Sequence, residues 1–96
     1  MQFTDTRTAG SDLPLSRYVR QRREDLGLTI TTASELAGIA FSEWVALEFG
    51  WIPGDRTTLH AIRATLTAEF YDFYAIVQMS QFIQSIDPQT TLQEMQ

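Results

Sequence analysis

The stretch GLTITTASELAGIAFSEWVALEFG, residues 27–50, contains two short helical segments separated by a glycine. Thr29 is expected to cap the first helix, which runs to Ala37, because a threonine hydroxyl can accept from a free amide of the first turn. Gly38-Ile39-Ala40 predicts a tight turn, since glycine adopts the left-handed backbone without a steric penalty. A second helix is expected from about Phe41 to Phe49, ended by Gly50. This order of elements predicts a helix-turn-helix.

A helix is predicted on each side of this stretch. Ser16 is expected to cap a first helix that reaches Leu26, with Pro14 outside it because proline cannot sit in a helix interior. Asp55 is expected to cap a later helix over 56–66, whose inward positions include Leu59. Apolar residues recur at helical spacing in both segments, so both are predicted to pack against the central pair.

The last predicted helix spans 68–86 and is stopped by Asp87-Pro88. No segment alternates apolar and polar residues in the manner of a strand. The sequence therefore predicts an all-α protein, a five-helix bundle with an aromatic-rich C-terminal helix. Its expected parts are a flexible arm over 1–13, a helix-turn-helix domain over 14–66, a C-terminal core and dimerisation helix over 67–87, and a frayed tail over 88–96.

Composition excludes several classes of function. The 96 residues suffice for one domain, and they include no cysteine and one histidine, so thiolate metal sites and cysteine nucleophiles are excluded. The carboxylates are scattered and no glycine-rich loop follows a strand, so we expect neither an enzyme nor a bound cofactor or metal. No apolar run approaches the roughly 20 residues of a membrane span, and the polar N-terminus is unlike a signal peptide. A cytoplasmic protein with no membrane partner is expected.

Charge is distributed unevenly along the chain. The net charge is −5, yet residues 15–66 hold six arginines against six acids, and the acidic excess is mostly C-terminal. Four arginines fall within the seven residues from Arg17 to Arg23. A local basic face of this kind can contact phosphates even when the whole chain is acidic.

The sequence resembles the Xre-type helix-turn-helix family, which includes the lambdoid phage repressors and Cro. Gly27, Gly38, Glu48 and Gly50 stand at the spacings of that family with no insertion, and the resemblance covers roughly 15–66. It implies a lambda-repressor-like domain in a small transcriptional regulator that binds double-stranded operator DNA as a homodimer. It also implies that Arg23 pairs with Glu48 as a structural ion pair.

In such proteins the second short helix lies in the major groove of DNA. The resemblance places Ile30, Ala40, Phe41, Ser42, Glu43 and Ala46 toward the bases, and Arg17, Arg20 and Arg56 toward the phosphates. Of the base-facing set, only Ser42 and Glu43 can hydrogen-bond to a base, so direct readout is predicted to be poor. Ala40 also replaces the hydroxyl that normally caps this helix, which places its first turn in question.

An alternative function follows from the same surface. Phe41 and Phe49 are expected to point outward near Val45 and Ala46, and an exposed apolar patch of this kind is typical of a protein interface. The alternative is a helix-turn-helix scaffold that has lost base readout and binds a regulatory protein, as an antirepressor or adaptor. Trp44, in contrast, is expected in the core.

The last helix has two apolar faces in succession. Its first half is expected to close the core through Phe70, Phe73, Tyr74 and Val77. The second face has no partner within so short a chain, which favours a symmetric dimer contact; it comprises Met79, Phe82, Ile83 and Ile86. The alternative is a core-only role, which requires the helix to bend back near Gln78 and Ser80.

Overall fold

The computed structural model describes residues 13–86, and over that range the chain forms five helices and no strands. The all-α, five-helix prediction is confirmed. The predicted tail and the Asp87-Pro88 stop lie outside the described residues, as does all of the predicted arm except Leu13. The helices are α1 (Pro14–Asp25), α2 (Ile30–Ala37), α3 (Phe41–Glu48), α4 (Arg56–Thr65) and α5 (Phe70–Ser85). Helix α1 packs against α3 and α5, and α2 packs against α3 and α4.

Helix α1 begins two residues earlier than predicted, and Ser16 is not its cap. Leu13 is the N-cap residue and Pro14 is the first helical residue. The amide of a first helical residue makes no hydrogen bond within the helix, so proline loses none there, and its fixed φ suits the position. The Ser16 hydroxyl instead donates to the Leu13 carbonyl at 2.9 Å. Leu13, predicted within a flexible arm, is buried, and the Leu15 amide donates to Ser80 Oγ of α5 at 2.8 Å. This end of α1 is therefore fixed by α5.

The turn between α2 and α3 has the predicted form. Thr29 Oγ1 accepts from the Thr32 amide at 3.1 Å, so the predicted cap is confirmed. Gly38 ends α2 at φ +72°, in the left-handed region that glycine occupies most readily. Helix α3 begins at Phe41 although Ala40 offers no side-chain cap, because the Glu43 carboxylate accepts from the Ala40 amide at 2.9 Å.

Helix α4 is capped by Asp55, as predicted: its carboxylate accepts from the Thr58 amide at 2.9 Å. That hydrogen bond is the main cause of an Asp55 pKa below the usual range of an aspartate. The helix ends without a glycine, and Thr67 adopts a φ of +49° there. Arg22 of α1 donates to the Leu66 carbonyl at 2.9 Å and to Thr67 Oγ1 at 2.9 Å. A tertiary contact thus supports a turn that glycine usually makes.

Helix α5 begins at Phe70 and not at Ala68, because Glu69 is its N-cap and accepts from the Asp72 amide at 2.8 Å. Phe70, which was predicted to close the core, is exposed in the first turn of α5. The core is an apolar cluster built from all five helices. Its largest fully buried side chains are Trp44, Phe73, Leu15, Leu47, Ile62, Leu66 and Val19.

Candidate functional site

A buried polar network fixes α3 against α1. Arg23 Nε donates to Glu48 Oε2 at 2.5 Å and Arg23 Nη2 donates to Glu48 Oε1 at 3.2 Å, a two-pronged pair in the arrangement that the resemblance implied. Trp44 Nε1 donates to the same Glu48 Oε2 at 2.7 Å. The hydrogen bond that Arg23 donates to Glu48 raises the pKa of Arg23, while partial burial opposes that shift. Because Glu48, Trp44 and Leu47 face inward, the opposite side of α3 must face outward.

The outer face of α3 is mostly apolar and largely exposed; it is formed by Phe41, Ser42, Val45, Ala46 and Phe49. Phe41 is 54% exposed and Phe49 is 66% exposed, so the predicted outward positions of both rings are confirmed. Ser42 is also exposed, and Val45 and Ala46 are half-buried. Ile30, at the start of α2, is half-buried and packs against the core, so it contributes less to this face than the sequence predicts.

The two side chains predicted to hydrogen-bond to a base differ in whether they also serve the fold. Glu43 is exposed, but one of its oxygens accepts from the Ala40 amide and begins the helix. Ser42 is the other, and its hydroxyl can both donate and accept. Polar recognition by the exposed side of α3 therefore depends on Ser42 and on the second carboxylate oxygen of Glu43.

Three of the six arginines in the described part of the chain serve the fold. Arg22 caps the end of α4, Arg23 pairs with Glu48, and Arg63 donates to the Ala68 carbonyl at 3.2 Å. Arg63 also lies over the Phe70 ring, 5.6 Å from its centroid. The structural roles of Arg22 and Arg63 were not predicted. The sequence signal for these roles was the absence of a glycine after α4, because the last carbonyl groups of that helix then need donors from elsewhere in the chain.

The three arginines predicted to contact phosphates lie in different places. Arg20 Nη1 donates weakly to the Glu48 carbonyl at 3.4 Å, which places its guanidinium at the C-terminal end of α3. Arg56 is exposed at the first position of α4. Arg17 lines a shallow groove between α1 and α5, beside Tyr18 and Ile76. Arg20 is thus next to α3, whereas Arg17 lies on the side of α1 that faces α5.

The second apolar face of α5 is solvent-exposed along its length. Met79, Phe82, Ile83 and Ile86 all remain exposed, so the core-only alternative is wrong for this helix. Helix α5 continues without interruption from Phe70 to Ser85. Its last turn is tied to the end of α3, because Gln84 Nε2 donates to the Gly50 carbonyl at 2.9 Å.

Within residues 13–86, no three histidine, aspartate or glutamate side chains lie close enough together to hold a metal ion. None of the helices described here is both long enough and apolar enough to cross a membrane. No family model, no curated protein and no solved structure matches the chain.

Proposed function

We propose that the protein is a small helix-turn-helix regulator that binds double-stranded DNA as a homodimer, with α3 in the major groove. The outer face of α3 supports this function, because it is largely exposed after a glycine turn while the inner face of the helix is fixed by Glu48. A major groove admits an α-helix presented in this way. The resemblance to the Xre-type family supports the same assignment.

Arg20 and Arg56 are the proposed phosphate contacts. Arg20 is adjacent to the C-terminal end of α3, and Arg56 begins α4 after the loop that follows α3. Phosphate contacts orient a protein on the duplex and supply most of the sequence-independent affinity. Arg17 is left out of the proposed contacts because it lies beside α5.

Base selection on this surface is proposed to be weak and to favour thymine. The outer face of α3 offers Ser42 as its one uncommitted polar group, flanked by the apolar side chains of Phe41, Val45 and Ala46. Apolar side chains contact the methyl group of thymine, whereas bidentate readout of guanine or adenine needs Arg, Lys, Asn or Gln. We therefore expect small differences in affinity between duplexes of equal length and different sequence.

Single-arginine variants test the proposal. Arg20→Ala and Arg56→Ala should each weaken binding to every duplex and reduce the salt slope of log K by about 0.9 for each phosphate that is no longer neutralised. Arg17→Ala is the matched control, since it removes the same charge from α1 on the side next to α5. Equal decreases in affinity for all three variants would show that net charge acts alone and would contradict the proposed orientation.

A second candidate function is the binding of a regulatory protein through the same face of α3. The exposed rings of Phe41 and Phe49, beside Val45, favour it, because an apolar patch with one polar group suits a protein partner better than a phosphate-lined groove. Under this alternative Phe41→Ala and Phe49→Ala abolish a complex that survives about 0.5 M salt, where charges are screened within about 4 Å. If DNA is the partner, Arg20→Ala and Arg56→Ala should weaken binding more than Phe41→Ala does.

A further inference from the structure

The groove between α1 and α5 has a volume of about 460 Å³, which is within the range of ligand clefts. One arginine is the only charged residue of its lining, which consists of Pro14, Arg17, Tyr18, Gln21 and Ile76. Arg17 is exposed, and within residues 13–86 its side chain makes no hydrogen bond or ion pair. The groove therefore presents a cation with no acid among its lining residues.

The apolar wall of this groove continues along α5 toward the C-terminal end of the helix. Met79 and Ile83 lie three and seven residues after Ile76, so all three side chains are on one side of α5. Ile76 is half-buried, whereas Met79 and Ile83 are 52% and 42% exposed. An occupant that enters from the end of α5 thus meets apolar side chains first and the Arg17 guanidinium after them.

We propose that residues 87–96 of the same chain fold back onto this surface. They continue directly from the C-terminal end of α5, beside which the surface begins. They carry two acids, Asp87 and Glu94, and no base, which complements the charge of Arg17. Leu92 and Glu94 are two residues apart, so an extended segment presents both on the same side. The proposal goes beyond the proposed function and does not depend on DNA binding.

The length of this segment matches the distance that it has to cover. Ile86 lies ten residues after Ile76, so about 15 Å of helix separates them. Asp87-Pro88 is suited to a reversal of the chain, because aspartate and proline both favour turns. After the turn, an extended chain advances about 3.3 Å per residue, so about five residues cover the distance. This brings Leu92 over the apolar wall and Glu94 level with Ile76, at the depth of the arginine.

Carbodiimide coupling tests the contact at Arg17, because the natural chain has no lysine and one introduced side-chain amine reports its own neighbours. In Arg17→Lys, that amine should form an amide with the Glu94 carboxylate, with loss of water, and peptide mass spectrometry should identify the link. Arg56→Lys is the matched control, because Arg56 begins α4, which does not line the groove. At low salt the yield of the Glu94 link should be about three to five times higher from Arg17→Lys, the preference that an exposed ion pair provides. Salt at about 1 M should remove the difference.

The coupling has three results that would overturn the proposal. Two of them are equal yields from Arg17→Lys and Arg56→Lys, and the absence of any link to residues 87–96. The third is a link to Asp5 or Asp12 in place of Glu94, because the groove would then hold the segment that precedes α1. That segment is the less suited occupant, since its two acids are accompanied by Arg7.

Disulfide closure tests the apolar part of the contact, and the natural chain has no cysteine to interfere. In dilute protein under mild oxidation, Met79→Cys combined with Leu92→Cys should close a disulfide within one chain, with two hydrogens lost to the oxidant. Gln81→Cys combined with Leu92→Cys is the matched control: Gln81 is also exposed, but two residues along a helix place it on the opposite side of α5. Faster closure of the pair at 79 and 92 is the expected result. Equal rates for the two pairs, or faster closure of the control, would overturn the proposal whether or not DNA binds.

Discussion

Substitution of Glu48 by glutamine isolates the charge at the centre of the polar network. Glutamine preserves the shape of the side chain and one carbonyl oxygen, so it can still accept from Trp44 or Arg23. It removes the negative charge and turns an amide donor toward a guanidinium donor. Glu48 has 4% of its side chain exposed and Arg23 has 13%, so water cannot replace the missing carboxylate. The variant therefore leaves a largely buried guanidinium with only the exposed carboxylate of Glu24 near it.

The size of the effect follows from this burial. Removal of one partner from a buried ion pair typically destabilises by about 3–5 kcal/mol, and because one acceptor oxygen survives, we expect about 3 kcal/mol for Glu48→Gln. In a domain of this size each kcal/mol lowers the melting temperature by about 4–8 °C, so the expected decrease is roughly 15 °C.

Urea and thermal unfolding followed by circular dichroism measure this change, and Glu24→Gln is the matched control. Glu24 approaches the same guanidinium, with 3.9 Å between its Oε2 and Arg23 Nη2, but its side chain is 55% exposed. An exposed pair of this kind contributes less than about 1 kcal/mol. Equal destabilisation by Glu24→Gln and Glu48→Gln would refute the reasoning, since burial would then make no difference to the two pairs.

Three further substitutions test the fold. Ser80→Ala should destabilise by about 1–3 kcal/mol in urea unfolding, because it leaves a buried amide of α1 without an acceptor, whereas Ser85→Ala at an exposed position should have little effect. Gly38→Ala should destabilise by about 1–2 kcal/mol through its left-handed backbone alone, since a Cβ there meets no atom within 4 Å; Gly54→Ala, which is equally open and lacks positive φ, should not. Asp55→Ala should lower stability at neutral pH. Because the folded pKa of Asp55 is depressed, its contribution is present above the unfolded pKa of about 3.9 and is lost as pH falls through the folded value, so the variant and the natural chain should converge in acid. A difference in stability between the variant and the natural chain that stays constant across that pH range would contradict this cause.

Local signals in the sequence predicted the starts of α2 and α4 and the turn between α2 and α3, although the equally local cap of α5 by Glu69 was missed. Thr29 and Asp55 cap their helices with their own side chains, and Gly38 turns the backbone where the sequence places it. Each of these contacts spans about three residues, so a short window of sequence contains all the groups involved. The outward positions of Phe41 and Phe49 were predicted from their places in the fold that the sequence resembles, and both rings are exposed.

The start of α1, which was predicted wrongly, and the turn after α4 depend on groups distant in sequence. Helix α1 starts at Pro14 because Ser80, 65 residues from Leu15, accepts the amide of its first turn. The turn after α4 needs no glycine because Arg22 reaches across to its carbonyl, 44 residues away. Neither contact leaves a mark in the local pattern. Tertiary contacts also determine which arginines of the cluster over 17–23 donate hydrogen bonds within the fold. The remaining arginines are the ones whose charges can contact a phosphate.

The proposed function depends on binding of double-stranded DNA by the outer face of α3. Fluorescence anisotropy of a labelled mixed-sequence duplex, titrated with the natural chain at low and at physiological salt, tests it most directly. With Arg20 and Arg56 from each of two copies, four phosphate contacts predict a slope of log K against log salt near −3.6, or a decrease in affinity of roughly a hundredfold between about 50 mM and about 200 mM salt. Saturable binding with that salt dependence is the predicted result. No binding at about 50 mM salt would contradict the claim and leave the protein-binding function of α3 as the account of its exposed phenylalanines.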